Sequence, residues 1–357
     1  MFSIYSKKLR DEAETIKSVL ATHDQIRSLM YSSDGVIIPS AGVDPLVILK
    51  ATAPPLLAWR IYDHCAAYTR LYAIYEQFIR DIVSAWLKTL PDLYRQYQSL
   101  PEGIRRGHRI GVSELLSRLT SGRYDHLSEQ VVLQGIHEGV TGKTPYTLLA
   151  DAFILDGPNY RAEILKELFA RVGISDGWAW VSTHGMIQRF IEDECGESSS
   201  AESELRSLVQ NRNNAAHGEV DEIVGMDDLK KVADFIISLC SVIAELFMSK
   251  VVERRIELGQ VTRVGSVIHE FSNSVVGVQM QPGTVVAGEE LIIFRQEACY
   301  RVNVESLEVD HIPSQRLEVA TVTNVGMRLS GPAKLGSGLF KIRNPSPQDL
   351  GTSGSQD

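Results

Sequence analysis

The sequence predicts a multidomain α+β protein, in which an all-α helical domain of residues 1–257 precedes a small all-β barrel of residues 258–343. Two observations predict this fold class. Apolar residues recur at helical spacing through most of the first part. At Leu258-Gly259 the composition changes to alternating apolar and polar residues with many valines and regularly spaced glycines. A hydrophobic content of 44% over 357 residues is sufficient for two substantial cores.

The helical domain is predicted to be a series of amphipathic helices. Residues 1–44 form a first helix, 3–31, and a loop; Pro54-Pro55 then opens a long helix, 58–89, which ends before Pro91. The aromatic residues of this long helix are typical of a core stripe rather than a base-stacking surface. Further helices are predicted at 111–119, 159–172, 176–194, 201–210 and 227–252, whereas 124–142 is expected to be mostly loop with room for one short helix at 126–133. Ser198-Ser199-Ser200 supplies the cap of the helix at 201–210.

The second domain is predicted to contain six short strands separated by turn residues. Their expected ranges are 260–268, 274–280, 290–296, 299–309, 317–325 and 338–342. Six short strands at this spacing indicate a small closed barrel. The tail, 344–357, is rich in Pro, Ser and Gly, and we expect it to be disordered.

Charge and cysteine content limit the classes of function. With a net charge of −9, the protein as a whole repels nucleic acid, so any RNA contact requires a local basic patch. The densest basic run contains Arg105, Arg106 and Arg109; a solvated helix face is the alternative interpretation. The four cysteines form no C-x-x-C pair, which indicates reduced thiols, a cytoplasmic protein and no zinc site. We expect no signal peptide, because no long apolar run follows Met1. We also expect no membrane span, because charged residues interrupt the apolar stretch 232–247.

The chemically most informative segment is 206–219, which places three asparagines around Arg212 and ends on His217-Gly218-Glu219. Asparagine is unfavourable in helix interiors, so the run needs a functional or a local structural reason. Arg212 and His217 are five residues apart, which separates them by roughly 140° on an unbroken helix. To meet at one phosphate, either the helix bends within 213–216 or the two side chains come from two facing chains.

Arginine and histidine together suit metal-independent RNA cleavage. The guanidinium of Arg212 matches phosphate oxygens and would stabilise the phosphorane, and His217 would move protons for attack by the ribose 2′-hydroxyl. Asn213 would orient one of them or hold a phosphate oxygen. We expect Arg212 to face solvent. An isolated R-x4-H pair is a weak pattern on its own.

The surrounding residues strengthen the interpretation. The string Arg212-Asn213-x-x-Ala216-His217-Gly218 resembles the HEPN superfamily of ribonucleases, and Tyr68–Ile82 is similar to the early helix of its RiboL-PSP branch. The resemblance covers roughly residues 45–250. It implies an all-helical fold, a homodimer that brings two motifs into one cleft, and metal-independent cleavage that leaves a cyclic phosphate. The family's tyrosine-modified toxins carry Tyr at the position of Glu219, so that control is not implied.

The second domain resembles the β-barrel that follows the GTPase domain in translation factors. The matching residues are Gly259-x-Val261, Val276-x-Val278, Gly283, Val286-x-Gly288-Glu289-x-Leu291, Val304-Glu305-Ser306-Leu307, Val325-Gly326-x-x-Leu329 and Leu335-Gly336. In those factors the barrel contacts tRNA or the ribosome. No phosphate-binding loop precedes it here, so nucleotide hydrolysis is not implied. An accessory barrel that dimerises or docks a partner is the alternative.

The sequence thus predicts an endoribonuclease with catalytic Arg212, His217 and Asn213 and no metal or cofactor. Expected partners are RNA such as tRNA, a second copy of the chain, and a neutralising or activating protein; the resemblance suggests a toxin–antitoxin or anti-phage setting. Two rival interpretations stay open: a non-catalytic HEPN-like adaptor that dimerises or binds RNA, and, ranked lower, a metal-dependent nuclease using Glu192, Asp193 and Glu194. The further candidate substrate-binding residues are Asn214, Glu76, Arg105, Arg106 and Arg109.

Overall fold

A computed structural model describes residues 2–31, 45–122, 124–155, 159–196, 198–218, 220, 222–295, 298–310 and 312–342. The chain forms two compact units, residues 1–244 and 245–357. A helical region is followed by a β-barrel, so the predicted fold class is confirmed. The expectations for most of the loop before residue 45 and for the disordered tail fall outside the described residues.

The helical region contains ten α-helices within the described residues. They are α1 (Ser3–Tyr31), α2 (Pro45–Thr52), α3 (Leu56–Leu93), α4 (Glu102–Arg118), α5 (Glu129–Val140), α6 (Ala162–Arg171), α7 (Gly177–Thr183), α8 (Gly185–Phe190), α9 (Ala201–His217) and α10 (Met226–Glu257). A π-helical turn, Ile191–Cys195, follows α8.

Helix α3 is the centre of the helical unit. Its buried residues recur from Asp63 to Leu93, and it packs against both α1 and α9. Tyr72 and Tyr75 are almost fully buried, whereas Tyr62 near the start of the helix is 70% exposed. The aromatic stripe therefore belongs mainly to the core, as predicted. Helix α9 packs against the same helix, α3.

A buried ion pair fixes α1 to α3. The guanidinium of Arg27 donates to the carboxylate of Asp63, and the two side chains are only 8% and 4% exposed. The other Asp63 oxygen lies 2.8 Å from Nδ1 of His23. Arg27 also bonds Asp24 at 3.2 Å, and Trp59 lies against both Arg27 and His23. The buried charges are thus compensated, which is the condition for keeping them in an interior.

The prediction that 124–142 is mostly loop is wrong, because α5 occupies 129–140, and the short helix expected at 126–133 overlaps only its first part. Ser128 caps this helix by accepting a hydrogen bond from the amide of Val131. Its glycines do not act as helix breakers. A Cβ at Gly139 would lie 2.7 Å from the ring of Tyr97, so glycine at this position permits close packing.

Two other helix boundaries differ from the prediction. Helix α3 continues past Pro91 to Leu93, and the amide of Tyr94 closes its last turn on the carbonyl of Leu90. The single helix predicted over 176–194 is divided at His184, whose extended backbone ends α7 and whose ring caps α8 at the amide of Met186.

The second unit contains an antiparallel barrel closed by six strands. Its strands are β1 (Val261–Glu270), β2 (Val275–Met280), β3 (Gly283–Val286), β4 (Glu290–Arg295), β5 (Ala298–Val309), β6 (Ile312–Ser314), β7 (Arg316–Val319), β8 (Thr323–Leu329) and β9 (Gly338–Ile342). The order β4-β9-β1-β2-β8-β5 closes because β4 also pairs with β5. Alternate residues of these strands, including Val276, Val278, Ile293 and Met327, fill the interior.

The predicted barrel is confirmed, although one strand prediction is wrong. The segment 317–325 contains the end of β7 and the start of β8, and β7 pairs with β3 in a separate two-stranded ribbon. Strands of three or four residues, such as β3, β6 and β7, are too short for an alternation pattern to identify. Glycine is required at position 265, where β1 pairs with β2, because a Cβ there would lie 2.5 Å from the carbonyl oxygen of Gln279.

By length and composition α10 could cross a membrane. However, 78% of its most apolar stretch is buried within the protein. Such burial is typical of a core helix in a globular fold.

Candidate active site around Arg212

Helix α9 carries the sequence-predicted catalytic residues. Ser200 and Ser203 form a reciprocal capping box at its N-terminus, which confirms the predicted serine cap. Its buried residues include Leu205, Leu208 and Val209. Arg212 follows Leu208 by four residues and therefore lies about 40° from it on the helix. The stripe that packs α9 onto α3 thus brings Arg212 onto α3 as well.

Arg212 lies over an aromatic ring, and one of its terminal nitrogens is held. Its Cζ atom is 4.8 Å from the ring centroid of Tyr72. Nη1 donates to Oδ1 of Asn213 at 2.9 Å and to Oδ1 of Asn159 at 3.4 Å. Arg212 is half-buried rather than fully solvent-facing. Among the described residues, no hydrogen-bond partner is found for its Nε and Nη2 atoms, which form a fork that can bind two oxygens of one anion.

The ring beneath Arg212 is itself fixed. The amide of Tyr160 donates to the hydroxyl of Tyr72 at 3.0 Å, and the hydroxyl of Tyr75 donates to the carbonyl oxygen of Tyr160 at 2.7 Å. The Asn159-Tyr160 dipeptide is therefore bonded to α3 at two points, while the Asn159 side chain reaches Arg212. This arrangement limits the positions that the guanidinium can adopt.

Two charged residues of α3 lie on the same side of the site. Glu76 accepts from Nη2 of Arg80 at 3.0 Å, and the two side chains are 25% and 29% exposed. Burial raises the pKa of the Tyr72 phenol; Glu76 also raises it, whereas the Tyr160 amide, Arg212 and Arg80 lower it. The phenol of Tyr72 thus experiences the charges of both guanidiniums. Glu76, a candidate substrate-binding residue, pairs with Arg80 and has no hydrogen bond to Arg212 in the described structure.

His217 is placed differently from Arg212. It is the last residue of α9 and is exposed. Gly218 follows in a left-handed conformation with φ of 75°, and its amide donates to the carbonyl of Asn214. Helix α9 runs without interruption through residues 213–216, so no break of the helix brings the two side chains together within one chain. Within one chain the imidazole lies roughly 140° around α9 from Arg212.

The neighbouring asparagines have local partners. Oδ1 of Asn214 accepts from the side chain of Gln210 at 2.8 Å, and Nδ2 of Asn211 donates to the carbonyl oxygen of Ser207 at 3.0 Å. Their side chains therefore follow the i, i+4 geometry of the helix surface. Of the three asparagines on α9, only Asn213 is bonded to Arg212 in the described structure, through its Oδ1 atom.

The basic run of α4 is partly neutralised. Arg105 and Arg109 both bond the carboxylate of Glu102, at 2.5 and 2.9 Å, and Arg106 is exposed. Helix α4 packs against α5 and α6, whereas α9 packs mainly against α3. No hydrogen bond or ion pair in the part of the chain that the structure describes links these arginines to Arg212.

The carboxylates of the metal-dependent alternative are exposed. Glu192, Asp193 and Glu194 lie on the π-helical turn after α8. No group of three or more potential ligands from His, Cys, Asp and Glu is gathered anywhere in the described ranges. These side chains do not form a metal-binding arrangement.

Sequence reasoning missed Tyr72, Arg80 and Asn159 as parts of this site. Tyr72 and Arg80 are four residues before and after Glu76, so helical spacing from Glu76 could have identified both. Asn159 gives no such signal, because it lies outside a regular element and reaches Arg212 only through the tertiary fold.

Most of the helical region matches a known protein family. A family model described as RiboL-PSP-HEPN matches residues 58–249, which is more than half of the chain. The match runs from the start of α3 to α10 and includes Tyr72, Arg80, Arg212 and His217. No curated protein matches the chain.

Proposed function

The chain belongs to the RiboL-PSP-HEPN family, and from this premise we propose that it is a metal-independent endoribonuclease whose active site is completed by a second copy of the chain. The observation that carries the proposal is which nitrogens of the Arg212 guanidinium have hydrogen-bond partners. A guanidinium is held at Nη1 over a fixed ring, while its Nε–Nη2 edge has no partner among the described residues. This is the donor arrangement that a phosphodiester requires.

The chemistry needs only the two side chains and the RNA itself. His217 accepts the proton of the ribose 2′-hydroxyl as the 2′-oxygen attacks the adjacent phosphorus. Arg212 stabilises the charge on the phosphorane oxygens. The bond from phosphorus to the 5′-oxygen breaks, a protonated imidazole supplies the proton to that oxygen, and a 2′,3′-cyclic phosphate remains. DNA has no 2′-hydroxyl and would not be cleaved.

A second chain is needed to bring the imidazole to the phosphate. The continuous α9 places Arg212 against α3 and His217 on a different, exposed face. In a two-fold dimer, His217 of one copy can approach Arg212 of the other, since an isologous interface brings each motif to its partner. The uninterrupted helix supports this arrangement over a site within one chain.

The barrel and the biological role of the protein are the remaining parts of the proposed function. A closed six-strand barrel, whose sequence resembles that of the translation-factor barrels, suits recruitment of RNA such as tRNA, or of a translation component. We propose a cytoplasmic enzyme in a toxin–antitoxin or anti-phage setting, with a protein that neutralises or activates it. The supporting observations are the family membership and the presence of the second domain.

Cleavage by the purified full-length chain tests the proposal. The protein is incubated with tRNA in EDTA, and the product ends are analysed for cyclic phosphate. We expect cleavage that is lost in His217→Ala. The matched control is His137→Ala, because His137 is also exposed in the last turn of a helix, α5. An absence of cleavage together with stable dimers would instead support a non-catalytic adaptor.

Mixing two inactive variants tests the shared site. An Arg212→Ala chain and a His217→Ala chain each lack one group, but a mixed dimer contains one complete pair. We expect the mixture to recover activity after subunit exchange. If verified mixed dimers stay inactive, the two groups do not come from different copies.

Arg212→Ala should abolish cleavage and leave the fold intact. The change removes one ring contact and two hydrogen bonds of a half-buried side chain, which we expect to cost about 1–2 kcal/mol. Thermal melting followed by tryptophan fluorescence measures this cost. A much larger drop in melting temperature would mean that Arg212 is mainly structural.

A further inference from the structure

A second guanidinium lies near the same ring as Arg212. Tyr72, Glu76 and Arg80 follow one another at four-residue spacing on α3, so each is about 40° from the last and the three share one helix face. Arg80 reaches back along this face to Glu76, with Nη2 3.0 Å from Oε1. Its guanidinium therefore lies near the level of Glu76, about 6 Å along α3 from Tyr72.

The surroundings of Arg80 keep it charged and accessible. Burial alone would lower the pKa of Arg80, but Tyr160 and Glu76 outweigh that effect and raise it. The side chain is 29% exposed, so a phosphate can reach it. Its partner Glu76 is also partly exposed, and ion pairs of this type are weak enough for a competing anion to displace.

We propose that Arg80 is a second phosphate-binding residue beside Arg212, and that Glu76 occupies it until RNA binds. The site would then hold two consecutive phosphates of one RNA strand, with the scissile phosphate at Arg212 and its neighbour at Arg80. This inference rests on the proposed function, because it assigns the scissile phosphate to Arg212.

The charge balance supports the assignment. Arg212 and Arg80 contribute two positive charges and Glu76 one negative charge, so this face is net positive in a chain of net charge −9. Arg70 offers a useful contrast on the same helix. It is paired with Glu12 of α1 at 2.6 Å and is 60% exposed, and no hydrogen bond or ion pair in the described structure links it to Arg212 or Tyr72.

Salt-dependent binding of a single-stranded RNA tests the inference. Full-length protein carrying His217→Ala, which prevents turnover, is titrated with a fluorescent twelve-nucleotide oligouridine at several salt concentrations. Each lost phosphate contact should reduce the slope of log K against log salt by about 0.7 for single strands. We expect Arg80→Gln to reduce the slope by this amount and to weaken binding about tenfold. Arg70→Gln is the matched control and should leave the slope unchanged.

Two further variants keep the result interpretable if Arg80→Gln disturbs the fold. Arg80→Lys keeps the charge and should restore most of the slope. Glu76→Gln removes the competing carboxylate and should tighten binding severalfold. An Arg80→Gln slope equal to that of Arg70→Gln, or no gain from Glu76→Gln, would overturn the inference. If Arg212→Ala also leaves the slope unchanged, the proposed active site itself fails; if Arg212→Ala lowers it and Arg80→Gln does not, only Arg80 is wrongly assigned.

Discussion

Two of the ion pairs that join α1 to α3 in the described structure, Arg27–Asp63 and Arg70–Glu12, should differ greatly in their contribution to stability. Arg27–Asp63 is buried, with side chains 8% and 4% exposed, whereas Arg70–Glu12 is 60% and 33% exposed. Asp63→Asn keeps the shape of the side chain but leaves the buried charge of Arg27 with Asp24 as its remaining carboxylate partner in the described structure, at 3.2 Å. Removing one member of a buried pair costs about 3–5 kcal/mol.

The exposed pair supplies the control between the same two helices. Glu12→Gln breaks a solvent-screened contact, so it should lower the free energy of unfolding by less than about 1 kcal/mol. The expected difference between the two variants is therefore about 2–5 kcal/mol. Both substitutions replace a carboxylate with an amide, which makes burial the main variable.

Urea unfolding followed by tryptophan emission measures this difference in the helical unit alone. Trp59, Trp86, Trp178 and Trp180 are the four tryptophans of the chain, and all lie within residues 1–244. The barrel therefore contributes no signal. If Asp63→Asn costs no more than Glu12→Gln, the argument from burial is refuted.

A double replacement separates loss of the pair from exposure of an uncompensated charge. Arg27→Met with Asp63→Leu removes both charges and keeps much of the side-chain volume. We expect this variant to recover most of the stability lost in Asp63→Asn, because apolar replacement of a buried pair is often nearly neutral. A double variant as unstable as Asp63→Asn would show that the geometry of the pair, rather than charge compensation, matters.

Three further predictions follow from buried groups. Burial lowers the pKa of His108 to about 4, so the unfolded chain binds the proton first and the free energy of unfolding falls as pH drops from about 6.5 towards 4. His108→Gln should therefore reduce the slope of unfolding free energy against pH between 6.5 and 5 by up to about 1.4 kcal/mol per pH unit. An unchanged slope would contradict this assignment. Gly111→Ala would place a Cβ 1.7 Å from the carbonyl oxygen of Ala152, and we expect it to lower the free energy of unfolding in urea by about 1–3 kcal/mol. Gly103→Ala, whose Cβ would have its nearest atom at 3.6 Å, should be neutral or stabilising. Equal effects of the two substitutions would argue against the close contact at Gly111. Tyr72→Phe keeps the ring under Arg212 and should retain RNA affinity in fluorescence titrations, whereas Tyr72→Leu should weaken it about fivefold; equal affinities would remove the ring from the site.

The sequence was most informative where one periodicity extends over many residues. The 38 residues of α3 and the 29 of α1 repeat their apolar positions over enough turns that packing and local preference agree. The sequence was least informative where one residue type fits two structural roles, as glycine does in loops and in closely packed helices. The glycines of α5 suggested a loop, yet Gly139 serves close packing against Tyr97, which belongs to another segment.

The candidate site likewise has features that the sequence predicts and contacts that only the tertiary structure shows. The motif and its helix could be read from residues 200–218, including the serine cap and the 140° separation of Arg212 and His217. The partners of Arg212 could not, because Tyr72 is 140 residues and Asn159 is 53 residues away in the chain. Only the tertiary fold brings such residues together.

The sequence by itself determined the order of the two domains, the family-type motif and the placement of its two chemical groups on one helix, since these depend on composition and on helical geometry. The tertiary structure decided which edge of the Arg212 guanidinium is occupied, which ring supports it, and that a second arginine lies along the same face. These features depend on contacts between segments distant in the chain, and local pattern carries no information about them.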